Sequence, residues 1–114
     1  MSTQEKVTCN EQITQIRFDR HTIQFALDGG GIIVTEGILE VSTPGGEFAI
    51  DVKSADRNLN VLSDLLDREI RNVSYSNSSA SLEIEEGYAA RIVPSGRGGD
   101  AGLIRIGDCW IVIA

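Results

Sequence analysis

Apolar and polar residues alternate along most of this chain, a period-two pattern typical of β-strands that bury one face. In the first half the pattern predicts five short strands, over residues 13–18, 22–27, 31–36, 38–42 and 47–52. Clusters of Asp, Gly and Pro at 28–30 and 44–46 supply the turns between strands. Evenly spaced short strands with such turns favour a sandwich or a small barrel.

The second half of the chain repeats this order. Its alternation predicts five more strands, over residues 70–75, 80–85, 87–93, 102–106 and 109–114. At a constant offset of 57 residues, Ile13 and Leu27 of the first half fall on Ile70 and Ile84 of the second. An internal duplication explains this match, but any two amphipathic hairpins share the same period. Both explanations stay open at the level of sequence.

One leucine-rich stretch, residues 54–69, separates the two halves. Leu59, Leu62 and Leu66 recur at helical spacing, so the stretch predicts an amphipathic helix whose apolar side covers the sheet. Ser54 or Asp56 is suited to cap its first turn. The predicted fold is therefore mainly β (α+β), with two similar five-strand units forming a β-sandwich or small barrel and one helix between them. We expect a single domain over 1–114, made of these parts: a polar N-terminal tail (1–12), a first β unit (13–52), the helix (54–69) and a second β unit (70–114).

The charge balance limits the classes of partner. Ten Lys and Arg residues against 17 Asp and Glu give a net charge of −7. A chain this acidic is poorly suited to bind nucleic acid or anionic lipid, whereas it suits a basic protein partner. The N-terminal residues lack the apolar segment of a secretory signal, and no stretch approaches the roughly 20 apolar residues of a membrane span. We therefore expect a cytoplasmic protein that binds neither membranes nor nucleic acid.

Residues for catalysis or metal binding are scarce. His21 is the sole histidine, and no catalytic triad can be assembled around it. Asp19 and His21 could bind a metal only weakly, since no further ligand has a suitable spacing. Cys9 and Cys109 lie 100 residues apart, so they form no metal-binding pair, and whether they meet in space stays open. Trp110 alternates with Cys109 and Ile111 in the last strand, and we expect its side chain in the core or lining a barrel. The sequence thus predicts a protein that is not an enzyme and uses no cofactor or metal.

A glycine-rich connection at 94–102 is the strongest candidate for a ligand site. The corresponding connection in the first half, Glu36 and Gly37, is about seven residues shorter, and long loops on a rigid scaffold often carry function. Gly96 to Ala101 fits the string G-x-G-x-x-A, but strands rather than a helix follow it, which excludes a dinucleotide fingerprint. If the flanking strands pair as a hairpin, Arg91 faces Arg105. Together with backbone N–H groups of the loop they would hold an anion, the candidate residues being Arg91, Arg97, Gly98, Gly99 and Arg105. The alternatives are a plain long turn, and arginines neutralised internally by Asp100, Asp108 or Glu83.

Acidic residues on outward strand positions form the second candidate. They are Glu36, Glu40, Glu83 and Glu85. Glu83 and Glu85 share the face opposite Leu82 and Ile84, where they either serve as a solvated strand face or attract a basic protein. The duplicated pattern also permits a homo-oligomer.

Residues 13–94 resemble a family of small bacterial β-rich proteins of uncharacterised function, some of them of the immunity type found near toxin genes. The resemblance lies in the strand spacing, the Asp–Gly and Glu–Gly turns and the segment "TPGGEF". The last segment, "SGRGGDAGLIRIGDCWIVIA", departs from the aromatic and acidic continuation of that family. The resemblance implies no catalytic residue. The net charge of −7 and the lack of a catalytic constellation favour a non-enzymatic binding module, an immunity-type inhibitor of a basic protein. The alternative is a binder that sequesters an anionic or nucleotide-like molecule at loop 95–102.

Overall fold

Ten antiparallel strands form one sheet in the computed structural model, which describes residues 5–54, 59–96 and 100–114. All ten strands predicted from the alternation are present, which confirms the mainly β class. They are β1 (Glu5–Phe18), β2 (Ile23–Leu27), β3 (Ile32–Thr35), β4 (Ile38–Thr43), β5 (Gly46–Asp51), β6 (Glu69–Tyr75), β7 (Ala80–Ile84), β8 (Ala89–Val93), β9 (Gly102–Ile106) and β10 (Cys109–Ile113).

Strand β1 joins the two halves of this sheet. Its first part pairs with β6 from Glu5 to Gln12, and its second part pairs with β2 from Ile13 to Phe18. Register shifts between Thr8 and Glu11 and between Ile13 and Gln15 mark β-bulges, which bend a strand. The tail predicted over residues 1–12 is therefore wrong from Glu5 onward, because the short stretch around Val7 also alternates and finds a partner strand in β6.

The strand order interleaves the two predicted units. The order across the sheet is β10-β9-β3-β2-β1-β6-β7-β8-β4-β5. We call β10, β9, β3, β2 and the second part of β1 the five-strand half, and the first part of β1 with β6, β7, β8, β4 and β5 the six-strand half. Neither unit, 13–52 or 70–114, is contiguous in the sheet, because the chain changes halves between β3 and β4 and again between β8 and β9. Each strand of the first unit has a counterpart five strands later in the chain, β6 for β1 and so on to β10 for β5. If every strand is exchanged with its counterpart, the same strand order results, read from the β5 end. Duplication itself stays a prediction.

One shared core lies on a single face of the curved sheet. Ten strands spaced as in ordinary sheets would span about 43 Å if flat, whereas the longest dimension of the molecule is 33 Å. The sheet therefore curves, and inward residues from all ten strands join one cluster. Among its largest members are Phe25, Leu39, Leu82 and Ile104, each almost completely buried. Within the described residues the sheet order is open, with β10 and β5 at its ends, rather than closed as a barrel.

The predicted helix over 54–69 is not confirmed, and residues 55–58, with the capping candidate Asp56, lie outside the described residues. In this region the described residues form a 3₁₀ helix, Asn60–Leu65, and β6 begins at Glu69. Leu62 and Leu65 are buried and Leu59 packs against them, a spacing of three that suits the three residues per turn of a 3₁₀ helix. Asn, Ser and Asp are frequent here and favour turns over α-helix. Asp67, with φ +67°, redirects the chain into β6. No helix in the described ranges is long and apolar enough to cross a membrane.

Candidate functional site

The outward face of the six-strand half carries two continuous rows of side chains. Residues directly opposite one another in antiparallel strands share a face, so the register defines each row. The first row runs from β5 to β1 through Ala49, Glu40, Arg91, Ser81, Ser74 and Lys6. The second row runs in the same direction through Glu47, Ser42, Ala89, Glu83, Asn72 and Thr8. We call the surface formed by these two rows the acidic face.

The acidic face is a shallow concavity of about 610 Å³. Its floor consists of short side chains, among them Ser42, Ser81 and Ala89, because Ser and Ala occupy half of the central positions of the two rows. Three carboxylates, those of Glu40, Glu47 and Glu83, line it together with one guanidinium, which gives the lining a charge of −2. Lys6, at the end of the first row and outside the concavity, brings the whole face to −1. Short side chains between longer acidic ones leave room for an inserted side chain of a partner.

Two contacts fix charged groups on this face. Arg91 Nη1 lies 3.7 Å from Glu40 Oε1, and both side chains remain about half exposed. The Asn72 side-chain amide donates a hydrogen bond to the Glu83 carboxylate on the neighbouring strand. The predicted internal neutralisation of Arg91 therefore exists, but its partner is Glu40 and not Asp100, Asp108 or Glu83. The bond from Asn72 holds the Glu83 carboxylate on the β6 side of β7. Glu47, on the edge strand β5, is the third carboxylate of the face.

The other two predicted partner-binding residues lie elsewhere. Glu36 lies at the connection from β3 to β4, where its backbone N–H donates to the Ala101 carbonyl at 2.8 Å. Glu85 begins a short 3₁₀ turn, Glu85–Gly87, and its carboxylate accepts a hydrogen bond of 2.9 Å from the Glu69 backbone N–H. Glu36 and Glu85 therefore do not lie beside Glu40 and Glu83, because the chain changes direction or halves at both positions, and their role in partner binding stays a prediction.

The predicted pairing of Arg91 with Arg105 is also wrong. Strand β8 pairs with β7 and β4, and β9 pairs with β3 and β10, so the two arginines lie on strands of different halves. The Arg105 guanidinium donates to the Gly30 carbonyl at 3.0 Å and lies 5.5 Å from the ring centre of Trp110. Each of β8 and β9 is paired with another strand on both sides, so the two cannot pair with each other as the assumed hairpin.

The glycine-rich loop contributes a smaller cavity of about 260 Å³. Arg97, Gly98 and Gly99 lie outside the described residues. The described lining of this cavity includes the carboxyl-bearing residues Glu36 and Asp100 and no arginine. The described lining therefore provides no positive charge for an anion, and the anion site at Arg97, Gly98 and Gly99 stays a prediction.

Other polar groups singled out in the sequence have structural roles. His21 is exposed, and its backbone N–H donates to Asp19 Oδ1 at 2.8 Å. This bond and a second one from the Thr22 N–H lower the pKa of Asp19, which identifies the segment as a capped turn. Both cysteines are free and half-buried. In the described part of the chain no three His, Cys, Asp or Glu side chains are grouped as metal ligands.

Trp110 does not lie in the core. It is 62% exposed on the outward face of the five-strand half, beside Arg105. The sequence alternation identified two possible inward sets in β10, and the structure turns Ile111 and Ile113 inward. The reason is packing: the two isoleucines fit among Ile104 and the other inward residues of β9.

Sequence analysis also missed several residues of the acidic face. Glu47, Ser42, Ser81 and Ser74 were not proposed, although their outward orientation follows from the alternation. No signal in the sequence placed them beside Glu40 and Glu83, because that requires knowing that β8 lies between β7 and β4.

No protein-family model, no curated protein and no solved structure matches this chain. The resemblance to immunity-type bacterial proteins therefore stays a prediction, and function has to be argued from the surface itself.

Proposed function

We propose that this protein is a non-enzymatic binding module whose acidic face binds a basic protein. The observation that carries the proposal is the placement of Glu40, Glu47 and Glu83 around a concave floor of short side chains. A lysine or arginine of a partner can enter this concavity and reach the carboxylates. An acidic surface also accelerates association with a basic partner and helps to exclude acidic ones.

The charge distribution supports the acidic face over the opposite side of the molecule. On the five-strand half, the outward paired positions are Gln15, Arg17, Gln24, Ala26, Ile32, Val34, Leu103, Arg105, Trp110 and Val112. None of these positions is acidic and two are arginines, a charge of +2, whereas the acidic face has three carboxylates against the two cations Arg91 and Lys6, a charge of −1. A basic partner is thus attracted to one side of the sheet. The form of binding module that we propose is an inhibitor of the immunity type, which blocks a basic toxin by covering it, in line with the resemblance of residues 13–94.

The test is site-specific photocrosslinking in cells of the organism that encodes the chain. A photoreactive residue replaces Ser81 on the floor of the acidic face, and a second variant carries it at Gln24 on the opposite side. We expect a basic protein to be captured from Ser81 and not from Gln24. The captured protein is then purified, and its dissociation constant is measured at low and at physiological salt.

Charge variants decide whether the acidic face is responsible. Glu40→Gln/Glu83→Gln should weaken binding of the captured protein by at least about tenfold at low salt, and salt should reduce the difference. The control Asp100→Asn/Asp108→Asn removes the same charge from exposed positions outside the face. Equal weakening by both double variants, or an acidic captured protein, would contradict the proposal.

A further inference from the structure

Strand β10 is an apolar edge of the sheet. It ends the strand order, so no described strand pairs with its outer side, and the β6–β7 turn covers this side only past the strand's end, where the Ala114 N–H donates to the Asn77 carbonyl at 2.9 Å. Its five residues, Cys109–Ile113, carry no charged side chain, and Trp110 and Val112 are 62% and 56% exposed. Proteins usually protect such edges with charges, prolines or bulges, because a free apolar edge pairs with other chains.

The opposite edge of the same sheet shows the usual protection. Strand β5 occupies the position that corresponds to β10 when the sheet is read from its other end. It carries Glu47 and Asp51, and it begins at Gly46 with φ +143°. The chain as a whole is rich in charge, with a net charge of −7. The lack of charged side chains is therefore a specific property of β10 and does not follow from the composition of the chain.

The register of the β9–β10 hairpin shows which backbone groups of β10 are free. Gly107 and Asp108 form a two-residue turn between Ile106 and Cys109, and Gly107 has φ +57°. Such a turn is closed by hydrogen bonds between Ile106 and Cys109, and bonded pairs then alternate along the ladder. The N–H and C=O groups of Trp110 and Val112 therefore point away from β9.

We propose that β10 pairs with β10 of a second copy of this chain, antiparallel, around a two-fold axis at Ile111. In this register Trp110 faces Val112 of the partner subunit, and Val112 faces the partner's Trp110. The four free groups of each strand then form four backbone hydrogen bonds. On the outward face the pairing also creates two aromatic–β-branched side-chain pairs, a favourable cross-strand combination.

If two copies of this chain associate, charge favours contact at this edge over contact at other surfaces. Two chains of net charge −7 repel each other, and the repulsion is smallest where the facing strands carry no charge. The strand is also self-complementary, because one register satisfies every free group of both copies. The contact is only one strand wide on each side, so it falls below the roughly 1,200 Å² of a standard interface. We therefore expect a weak dimer that dissociates on dilution.

Sedimentation velocity over a dilution series tests the dimer, and fluorescence reports it independently. Trp110 is the only tryptophan, so its emission should shift to shorter wavelength as the dimer forms and cover this side chain. A chain that stays monomeric at every concentration overturns the proposal, including the case in which a strand of a different protein is found to cover β10.

Val112→Pro identifies the interface. Proline removes an N–H that points away from β9, and edge strands tolerate proline at such positions. Two of the four intermolecular hydrogen bonds are lost, so the dissociation constant should rise by at least about tenfold, which corresponds to about 1.4 kcal/mol. Phe48→Asp on β5, also at an edge and 44% exposed, is the matched control and should leave the dimer unchanged. Circular dichroism and thermal melting establish that both variants fold.

Trp110→Asp gives a second test, since it places like charges beside the two-fold axis. A dimer that persists in folded Val112→Pro and Trp110→Asp overturns the proposed interface. This proposal is independent of the acidic face, because the two surfaces lie on different halves of the sheet.

Discussion

Gly37 packs directly against the backbone carbonyl of Val93, where the chain passes from one half of the sheet to the other. A Cβ at Gly37 would collide with that carbonyl oxygen and lie 3.3 Å from the Ala101 Cβ. The backbone N–H of Gly37 also donates to the Ala101 carbonyl at 3.0 Å. The two connections between the halves therefore cross at this glycine, and only a residue without a side chain fits there.

Gly37→Ala should destabilise the protein by about 1–3 kcal/mol, the cost of forcing a methyl group into a packed site. The carbonyl it meets belongs to the backbone of β8 and cannot move without disturbing the β4–β8 ladder. Denaturant unfolding measures the loss as a lower midpoint with an unchanged slope. Gly45→Ala is the control, because the nearest atom to its added Cβ, Thr43 Oγ1, is 3.7 Å away. Equal losses in the two variants would contradict the crossing as the cause.

The 3₁₀ helix leads to a second prediction. Leu65 is completely buried beneath the sheet, whereas its neighbour Leu66 is 41% exposed. Leu65→Ala should lower the free energy of unfolding by about 2–5 kcal/mol, because it leaves a cavity in the core. Leu66→Ala removes the same atoms from the surface and should cost about 0.5 kcal/mol or less. If the longer α-helix of the sequence prediction formed in solution, the two leucines would be more nearly equal, since an α-helical turn brings both toward one side.

The strands could be predicted from the sequence because burial alternates locally. Leu39, Val41, Ala90 and Ile92 are buried, and the residues between them, Glu40 and Arg91, face outward as the alternation indicates. The two glutamates at the centre of the candidate site, Glu40 and Glu83, were identified for this reason. Their outward orientation requires no knowledge of the partner strand.

Strand order could not be predicted in the same way. Arg91 was placed opposite Arg105 because β8 and β9 follow each other in sequence, yet both change partners across the sheet. The alternation of apolar and polar residues shows which side chains of a strand face the core. It is the same whichever strand lies alongside, so it does not show which strands pair. The helix prediction is not confirmed for a different reason: spacings of three and four residues both place leucines on one side, and the spacing of three in Leu59, Leu62 and Leu65 belongs to the 3₁₀ geometry.

The ion pair between Arg91 and Glu40 should contribute little to stability. Both side chains are about half exposed, and their closest atoms are 3.7 Å apart. A double-mutant cycle with Arg91→Gln and Glu40→Gln should give a coupling energy of about 0.2–1 kcal/mol that decreases with salt. If the acidic face binds a basic protein, Arg91→Gln should also strengthen that binding, because it removes the one positive charge of the concavity. A coupling energy that is large and insensitive to salt would show that the pair is more rigid than its exposure indicates.

Cys9 should make the protein less stable at alkaline pH. Burial raises the pKa of its thiol from 9.0 to about 11, and the carboxylates of Glu11, Asp28 and Glu69 act in the same direction. Between these two pKa values the folded chain keeps a proton that the unfolded chain releases. The stability that this group contributes is therefore fully present below pH 9 and is lost as the pH rises toward 11.

The free energy of unfolding should accordingly fall as the pH rises over this interval. In Cys9→Ala this fall with pH should be less steep, because one titrating thiol is absent. Tyr75 donates to Glu5 at 2.8 Å, and this bond raises its pKa to about 12, so its titration follows at higher pH. Alkylation with iodoacetamide gives a second measurement, because only the thiolate reacts. In a Cys109→Ser variant, Cys9 should react more slowly in the folded protein than in denaturant at pH 9. Equal rates in the two states would show that the thiol is as easily ionised in the fold as in water.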